Sequence, residues 1–551
     1  MLDWIFSSFD PVKNPIGFGA ADFIEIAVAL PLLLLVIFWR HIEPLARRLS
    51  ANIRWSMIGL AIAPVVLRLL LLAHHPIPKP DIYDEFGHLF VADTLRHFRL
   101  ANPPLALHQF FETFFILQTP TFSSIYPIGQ GALLAIGRAI AGTPWAGVLL
   151  ASAAFGSLCY WMLRAWTSPG WALLGGVLAI AEFGPLNPWM NTYWGGMLAA
   201  AAGCMVFGAL PRLAKKTTRR NAVLLCAGMT VHLLTRPYES IFLILAAALF
   251  FLPTWKRTLP LLALAILPGA IVTLAHNKSV TGQFTKLPYQ LSQEQYGVPA
   301  ALTFQAEPVP HSELTPQQQM EYKSQMSFKE GKETLLTYLL RLEYRVRYYR
   351  FFFFAPLYLA LPAFLFAAAR SPRYAFVAMT LALLALGTNF FPAFQVHYLG
   401  AAACLFVLVS VAGLEQIALF SPESARLLAF LCLIHFGFWY AIHLSGEGDV
   451  ALAAIRYESW DNINHRNPER RILVEHQLEE IPGQLLVFVR YTPRHIFQDE
   501  WVYNEASPAE ARIVWARDLG PEENSKLRAI YPNRQTLLLE PDARTPVLSP
   551  Y

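Results

Sequence analysis

The chain has 551 residues, of which 55% are hydrophobic and only 15% are charged. A soluble domain usually carries about 25% charged residues, and the apolar residues here form runs close to the length of about 20 that spans a bilayer. The composition therefore excludes an ordinary soluble enzyme and predicts a membrane protein with many crossings. The net charge of +5 does not indicate nucleic-acid binding, because Lys and Arg fall in short loops between the apolar runs.

Twelve apolar runs are predicted to cross the membrane as helices. The basic loops between them, such as Arg212 to Arg220, all fall on the cytoplasmic side when each run crosses once, as the positive-inside bias requires. Both termini then lie outside the cytoplasm. The predicted crossings are residues 23–39, 55–74, 145–163, 170–186, 196–211, 222–235, 240–253, 259–275, 351–369, 374–391, 399–419 and 426–443.

A shorter apolar segment, residues 128–142, is predicted to stay at the outer surface. Counting it as a crossing would move the basic cluster from Lys215 to Arg220 to the outside, against the charge bias. Its length, its glycines and its internal Arg138 favour a juxtamembrane or re-entrant helix.

Three long segments are predicted to lie outside the cytoplasm. Residues 75–144 and 276–350 form two large periplasmic loops, and the apolar runs stop in residues 444–551. Three stretches of this tail, GQLLVFVRY, ARIVWARD and RQTLLLEP, have the pattern of β-strands. The predicted fold is an all-α polytopic membrane domain over residues 1–443, with juxtamembrane helices, followed by a small extracytoplasmic α/β domain.

The first outer loop opens with two adjacent carboxylates, Asp84 and Glu85, at the start of a predicted helix. One interpretation is a general base held where a lipid-linked substrate meets water. The other is that both acids favour the N-terminus of the helix through its dipole. The helix is expected to run to about Arg99 and to lie in the membrane interface on an apolar stripe that includes Phe86 and Phe98.

A metal site is a weaker interpretation of the same helix. His88 lies four residues after Asp84 and three after Glu85, so one face could offer two ligands, but two ligands do not define a site. The five cysteines lie inside apolar runs without a CxxC pair, which predicts core packing rather than metal ligands. No cofactor is expected to be obligatory, and a divalent cation remains an open alternative.

Irregular backbone follows in the same loop, where Pro and Gly punctuate residues 120–131. Such backbone at membrane depth has to be buried in protein or face water. We therefore expect this segment to line a cavity, with Tyr126 and Gln130 as substrate-binding residues.

Two motifs at turns between crossings supply further candidate binding residues. Tyr193 and Trp194 precede one crossing, and membrane anchoring is an equally good interpretation of such interfacial aromatics. Arg236, Tyr238 and Glu239 join two other crossings. Arg236 and Glu239 could pair with each other, or the forked donors of Arg236 could bind a phosphate.

Two more outer positions complete the candidate set. His397 and Tyr398 open the eleventh crossing, and Lys278 follows the eighth. Basic residues on the outer surface could attract lipid phosphates. The polar motifs thus gather at one face, which favours chemistry at the outer surface over a path through the membrane.

Together these motifs resemble one known group. The stretches DEFGHLFVADTLRHFRLANPP, YPIGQG, NTYWGG, TRPYE and EWVYNEA are similar in layout to the GT-C superfamily of membrane glycosyltransferases. Within it, the chain looks most like the protein O-mannosyltransferases, the lipid A aminoarabinose transferases and a bacterial branch beside them. The resemblance covers most of the chain.

The resemblance implies an inverting sugar transfer from a polyprenyl-phosphate donor to an unknown acceptor, on the periplasmic face of a bacterial inner membrane. Asp84, with Glu85 beside it, takes the position of the base. Arg236, His397 and Tyr398 take the positions that ligate the lipid phosphate. His397 stands where the family often has Arg, and the extra N-terminal crossing has no counterpart in the family.

Three other functions fit parts of the sequence. A transporter usually shows inverted repeats and ionisable residues at mid-membrane, whereas the polar motifs here lie at one face. A polymerase or ligase of surface polysaccharides would share the lipid-linked substrate and use a late outer loop such as residues 276–350. A non-catalytic scaffold is the last alternative.

Overall fold

The fold is known from a computed structural model. It describes residues 27–32, 34, 39–311, 313–327, 333–445, 463, 468–496 and 498–551. Most of the first predicted crossing, residues 23–39, and most of the segment 446–467 lie outside the described residues. In chain order the helices are α1 (Trp39–Ala51), α2 (Ile53–Leu70), α3 (Tyr83–Arg96), α4 (Ile128–Ala141), α5 (Trp145–Leu163), α6 (Pro169–Phe183), α7 (Pro188–Asn191), α8 (Gly196–Lys215), α9 (Arg219–Thr235), α10 (Pro237–Phe251), α11 (Trp255–Thr281), α12 (Pro288–Tyr296), α13 (Pro316–Ser327), α14 (Leu335–Val346), α15 (Ala360–Arg370), α16 (Pro372–Thr388), α17 (Ala403–Phe420), α18 (Pro422–Ser445), α19 (Glu469–Glu480) and α20 (Pro521–Ile530).

Apolar helices coincide with the predicted crossings from residue 55 onward. Within the described ranges, six helical segments are long and apolar enough to cross a membrane, or seven if a bent pair over residues 335–370 is one span. Helices α4, α6 and α16 are apolar but shorter. The chain is therefore a multi-pass membrane protein, and the count of twelve crossings stays a prediction.

The predicted crossing at residues 351–369 is wrong as a single continuous helix. Its first part consists of two 3₁₀ turns, Arg347–Phe352 and Ala355–Leu359, and the helical segments on either side meet at 116°. Phe353 between the turns is extended, with φ −140° and ψ 130°. Phe354 is also extended, with φ −61° and ψ 140°, so the α-helical hydrogen-bond pattern is interrupted at these two residues.

The membrane helices pack closely where small residues face a neighbouring backbone. A Cβ atom on Gly203 of α8 would overlap the backbone of Ala401. A Cβ on Gly156 of α5 would likewise overlap the carbonyl of Leu60 in α2. Such small residues let helices approach closely where apolar surface alone provides no driving force between them.

The two large loops and the C-terminal domain lie at one end of this bundle, which we name the loop face. Lys79 of the first loop forms a 2.9 Å ion pair with Glu475 of α19. On the second loop, the side-chain oxygen of Gln317 accepts a 2.5 Å hydrogen bond from Arg517 of the C-terminal domain. The polar motifs of the sequence are therefore gathered at the loop face.

Helix α3 differs from the surface helix that the sequence predicts. Most of its residues are buried, because α4, the C-terminal domain and a small antiparallel hairpin of β1 (Ile116–Leu117) and β2 (Ser123–Ser124) cover it. Phe98 of the expected apolar stripe lies beyond the end of the helix at φ 56° and is 99% exposed. The expectation of an apolar stripe facing the membrane interface is therefore wrong.

The predicted strands of the tail form a four-stranded sheet in the order β4-β3-β5-β6. Strand β3 pairs in parallel with β4 and β5, and β6 is antiparallel. One face packs on α19 and the other on α20 together with Phe110 and Phe111 of the first loop. The tail thus shares a hydrophobic core with the first loop, although the division at residue 443 stays a prediction. The strands are β3 (Leu485–Val489), β4 (Ile513–Arg517), β5 (Gln535–Glu540) and β6 (Val547–Pro550).

Candidate functional site

Asp84 stands in the first turn of α3, where the loop-face elements converge. Its carboxylate accepts a hydrogen bond from the hydroxyl of Tyr126. Burial raises the pKa of Asp84 above its usual value, while the Tyr126 hydrogen bond and the nearby charge of Arg236 lower it. A buried carboxylate with an elevated pKa and one phenolic donor is suited to accept a proton from a substrate hydroxyl.

Glu85 has a different environment from its neighbour. One carboxylate oxygen accepts a 2.9 Å hydrogen bond from the backbone N–H of Asp81, and the other accepts one of 2.9 Å from Tyr193. Burial raises the pKa of Glu85 to about 7. Because both oxygens bind backbone amides, Glu85 joins the start of α3 to the turn that carries Trp194, and its predicted catalytic role stays a prediction.

Arg236 lies at the turn between α9 and α10 without a carboxylate partner. In the described part of the chain no ion pair within 4 Å involves this residue, and Glu239 in the following turn does not pair with it. Its Nη2 donates a weak 3.4 Å hydrogen bond to the carbonyl of Trp194, and its guanidinium carbon lies 5.1 Å above the ring of Tyr398. The mutual ion pair that the sequence left open is therefore not formed.

Nitrogen atoms with no hydrogen-bond partner surround the Arg236 guanidinium. Among the described residues, buried nitrogens without a partner include Nε of Arg236, Nδ1 of His88, Nδ1 of His397 and Nε1 of Trp194. The rings of Trp194 and His397 lie 5.1 Å apart, and the charge of Arg236 acts on both histidines. Buried polar groups are normally hydrogen-bonded, so these unsatisfied nitrogens, of which Arg236 Nε and Trp194 Nε1 can only donate, indicate a ligand that brings acceptors.

His88 connects this cluster to the carboxylate. Its ring lies 4.3 Å from the ring of Tyr126, which binds Asp84. Burial, together with the charge of Arg236, lowers the pKa of His88 to about 3. The imidazole is therefore neutral at pH 7 and carries one N–H donor.

Three other predicted residues donate hydrogen bonds to backbone carbonyls around the site, and the Oε1 of one of them, Gln130, is buried without a partner among the described residues. Gln130 donates a 3.0 Å hydrogen bond to the carbonyl of Tyr193, and the Tyr193 hydroxyl donates to Pro78 at 2.8 Å. Tyr238 donates to the carbonyl of Gly387 at 2.8 Å. These bonds hold the turn before α8 and the start of α10 in place around Arg236.

Lys278 does not join the site. Its ammonium group is exposed and donates a 2.6 Å hydrogen bond to the carbonyl of Gly282, just beyond the end of α11. A lysine in the last turn of a helix commonly interacts with the helix's terminal carbonyl groups, which explains this position. The prediction of Lys278 as a substrate-binding residue is therefore not supported by the geometry.

The second loop supplies neighbours of Asp84 that the sequence patterns did not indicate. The ring of Tyr289 on α12 lies 5.9 Å from that of Tyr126. Glu321 on α13 is 1% exposed and accepts a hydrogen bond from Tyr83, the residue before Asp84. A narrow, mainly apolar pocket lies beside Tyr289, between Ile128 and Leu234.

Metal ligation has no support in the described ranges. There, no group of three His, Cys, Asp or Glu side chains is arranged to hold a metal ion. His88, which the sequence placed on the same helix as the two acids, faces Tyr126 and the Arg236 cluster. The expectation that no cofactor is obligatory stays a prediction.

Fold and site define a multi-pass helical membrane protein with a buried polar site at one face. No family model matches the chain, and no curated protein matches its sequence. Among solved structures, the lipid A aminoarabinose transferase ArnT from Cupriavidus metallidurans is similar, with 12% identity, a TM-score of 0.48, and coverage of 87% of this chain and 88% of ArnT in the apo state. ArnT bound to undecaprenyl phosphate matches at a TM-score of 0.47, with coverage of 87% and 93%.

A second similar structure is the archaeal oligosaccharyltransferase AglB from Archaeoglobus fulgidus in complex with an inhibitory peptide and a dolichol-phosphate. It has 14% identity, a TM-score of 0.37, and coverage of 88% of this chain and 69% of AglB. Both proteins are members of the GT-C superfamily, the group that the motifs of this chain resemble. At these identities and TM-scores, the case for function rests on this chain's own residues.

Proposed function

We propose that the protein is a glycosyltransferase that moves a sugar from a polyprenyl-phosphate donor to an acceptor hydroxyl at the loop face. The observation that carries the proposal is the guanidinium of Arg236, which has no carboxylate partner, among buried nitrogens of His88, Trp194 and His397 that have no hydrogen-bond partner in the described residues. These groups provide positive charge and N–H donors for one phosphate. A forked guanidinium is well matched to phosphate oxygens.

The carboxylate of Asp84 lies close enough to Arg236 for that charge to lower its pKa. In the proposed reaction Asp84 takes the proton from the acceptor hydroxyl while that oxygen attacks the anomeric carbon. The bond from this carbon to the phosphate oxygen breaks, and the polyprenyl phosphate leaves with the bonding electrons and stays beside Arg236. Attack opposite to the leaving phosphate inverts the anomeric centre, and general-base help of this kind typically contributes about 10²–10⁴-fold.

We propose that the loop face lies in the periplasm and that the chain lies in a bacterial inner membrane. This follows from the basic loops, including Lys215 and Lys216 at the opposite end of α8.

The test uses the full-length protein in lipid nanodiscs with a panel of radiolabelled undecaprenyl-phosphate sugars. Glycosyl transfer and release of undecaprenyl phosphate are expected together, and Asp84→Asn is expected to lose transfer. Full transfer by Asp84→Asn would refute the assignment of the base. Uptake of a soluble solute by proteoliposomes without any sugar transfer would instead support the transporter.

A further inference from the structure

A second group of buried polar atoms with unsatisfied hydrogen-bonding capacity lies where the first loop meets the C-terminal domain. The hydroxyls of Thr113 and Tyr503 lie beside each other, close enough to interact, and neither has any other hydrogen-bond partner among the described residues. Thr113 is 5% exposed. These atoms are separate from the Arg236 cluster, and the proposed phosphate site does not use them.

The EWVYNEA stretch of the tail, residues 500–506, brings Tyr503 to this position. The Tyr503 ring stacks on Phe86 of α3 at a centroid distance of 4.3 Å and an interplanar angle of 3°. The backbone N–H of Ala506 donates a 2.8 Å hydrogen bond to Asp93, which lies about two helical turns after Phe86 in α3. This motif therefore docks the C-terminal domain onto the helix that carries Asp84.

The second loop adds another carboxyl group near Asp84, that of Glu321. Glu321 accepts a 2.7 Å hydrogen bond from Gln325 and a longer one of 3.4 Å from Tyr83. Within the described residues, neither Asp84 nor Glu321 forms an ion pair within 4 Å. Burial, helped by the charge of Asp84, raises the pKa of Glu321 to about 7, so this carboxyl is partly protonated at neutral pH.

We propose that Thr113, Tyr503 and Glu321 form the acceptor subsite of the transferase, and that the acceptor is a neutral carbohydrate. The inference rests on the proposed function. Hydroxyls and a partly protonated carboxyl both donate and accept hydrogen bonds, as a sugar hydroxyl requires. The unpaired carboxyls of Asp84 and Glu321 disfavour an acceptor that carries a phosphate or carboxylate next to the reacting hydroxyl.

The test compares Tyr503→Phe and Thr113→Val with wild type in nanodiscs. Tyr503→Phe keeps the ring stacked on Phe86 and removes only the hydroxyl. Tyr531→Phe on α20, whose ring packs in the core of the C-terminal domain, is the matched control. The acceptor panel contains neutral oligosaccharides, the corresponding uronic-acid glycosides and Ser/Thr peptides, each with the donor that wild type accepts.

Each variant is expected to raise the acceptor KM about 5- to 10-fold, as the loss of one neutral hydrogen bond does. The Kd for undecaprenyl phosphate should stay within about twofold of wild type, and Tyr531→Phe should change neither quantity. An unchanged acceptor KM, or an equal loss of undecaprenyl phosphate binding, would overturn the subsite. Preference for a peptide or a uronic-acid acceptor would overturn the proposed acceptor class.

A third variant keeps the comparison possible if one of the first two variants does not fold. If either first variant unfolds, Glu321→Gln provides the same comparison, because the amide keeps the shape and removes the titration. Its acceptor KM should rise as in the first two variants while the Kd for undecaprenyl phosphate stays within about twofold of wild type, and an acceptor KM equal to that of wild type would contradict the role. If wild type itself neither binds undecaprenyl phosphate nor transfers sugar, the proposed function fails instead, and this outcome differs from all of the others.

Discussion

Replacing Arg236 by Gln removes the guanidinium charge from the proposed phosphate site while keeping a polar side chain. In the protein alone, the guanidinium makes one weak 3.4 Å hydrogen bond and lies 5.1 Å above the ring of Tyr398. Loss of these two contacts should cost about 1 kcal/mol or less in unfolding free energy. The effect on the fold is therefore expected to be small.

The effect on lipid binding is expected to be much larger. A charge-assisted hydrogen bond contributes about 1.5–3 kcal/mol, so losing one such bond from Arg236 to a phosphate weakens Kd about 10- to 150-fold. At a ligand concentration of about 100 times the wild-type Kd, bound lipid stabilises wild type by about 2.7 kcal/mol. For Arg236→Gln at the same concentration, this stabilisation falls to about 0.3–1.4 kcal/mol.

The assay is thermal unfolding in nanodiscs with and without undecaprenyl phosphate, together with a direct binding isotherm. Lys278→Gln is the matched control, because Lys278 is an outer cation that binds the Gly282 carbonyl at the surface. Its lipid stabilisation should equal that of wild type. If Arg236→Gln keeps the full stabilisation, or if Lys278→Gln loses it, the phosphate does not bind where we propose.

Three further predictions concern the carboxylates and the topology. The transfer rate should fall as pH falls through a midpoint above 3.8, the ordinary Asp value, because Asp84 must be ionised to act as base and burial raises its pKa. Tyr126→Phe removes a hydrogen bond that lowers the pKa of Asp84, so the midpoint of the pH–rate profile should move upward. A midpoint that does not move upward in this variant would contradict the assignment. Glu85→Gln should cost about 1–3 kcal/mol in unfolding free energy, since backbone donors lose a carboxylate acceptor, and a denaturation curve equal to that of wild type would contradict its anchoring role. A single cysteine at Lys216 should react with a membrane-impermeant maleimide only from the cytoplasmic side, and labelling only from outside would reverse the proposed topology.

Much of the fold follows from local sequence. The apolar runs after residue 55 coincide with helices, and all three strand-like stretches of the tail are strands, because period and composition are local properties. The break at Phe353 was not predicted, because four consecutive Phe residues suggest a continuous apolar run and composition does not mark the extended backbone there.

The candidate site was predictable only in part. Asp84, Arg236 and His397 were identified because each stands in a polar motif at the end of an apolar run. The role of Glu85 depends on the backbone of Tyr193, 108 residues away, so no local pattern could reveal it. The same holds for the contacts that the second loop and the tail make around Asp84, which exist only once the chain is folded.

The most direct test is a structure of the full-length protein with bound undecaprenyl phosphate. The proposal expects the phosphate within hydrogen-bond distance of Arg236, with the nitrogens of His397 and Trp194 as further donors and the carboxylate of Asp84 facing the position of the anomeric carbon. A phosphate bound elsewhere, with Arg236 and these nitrogens left without an acceptor, would contradict the proposed site and the transfer mechanism built on it.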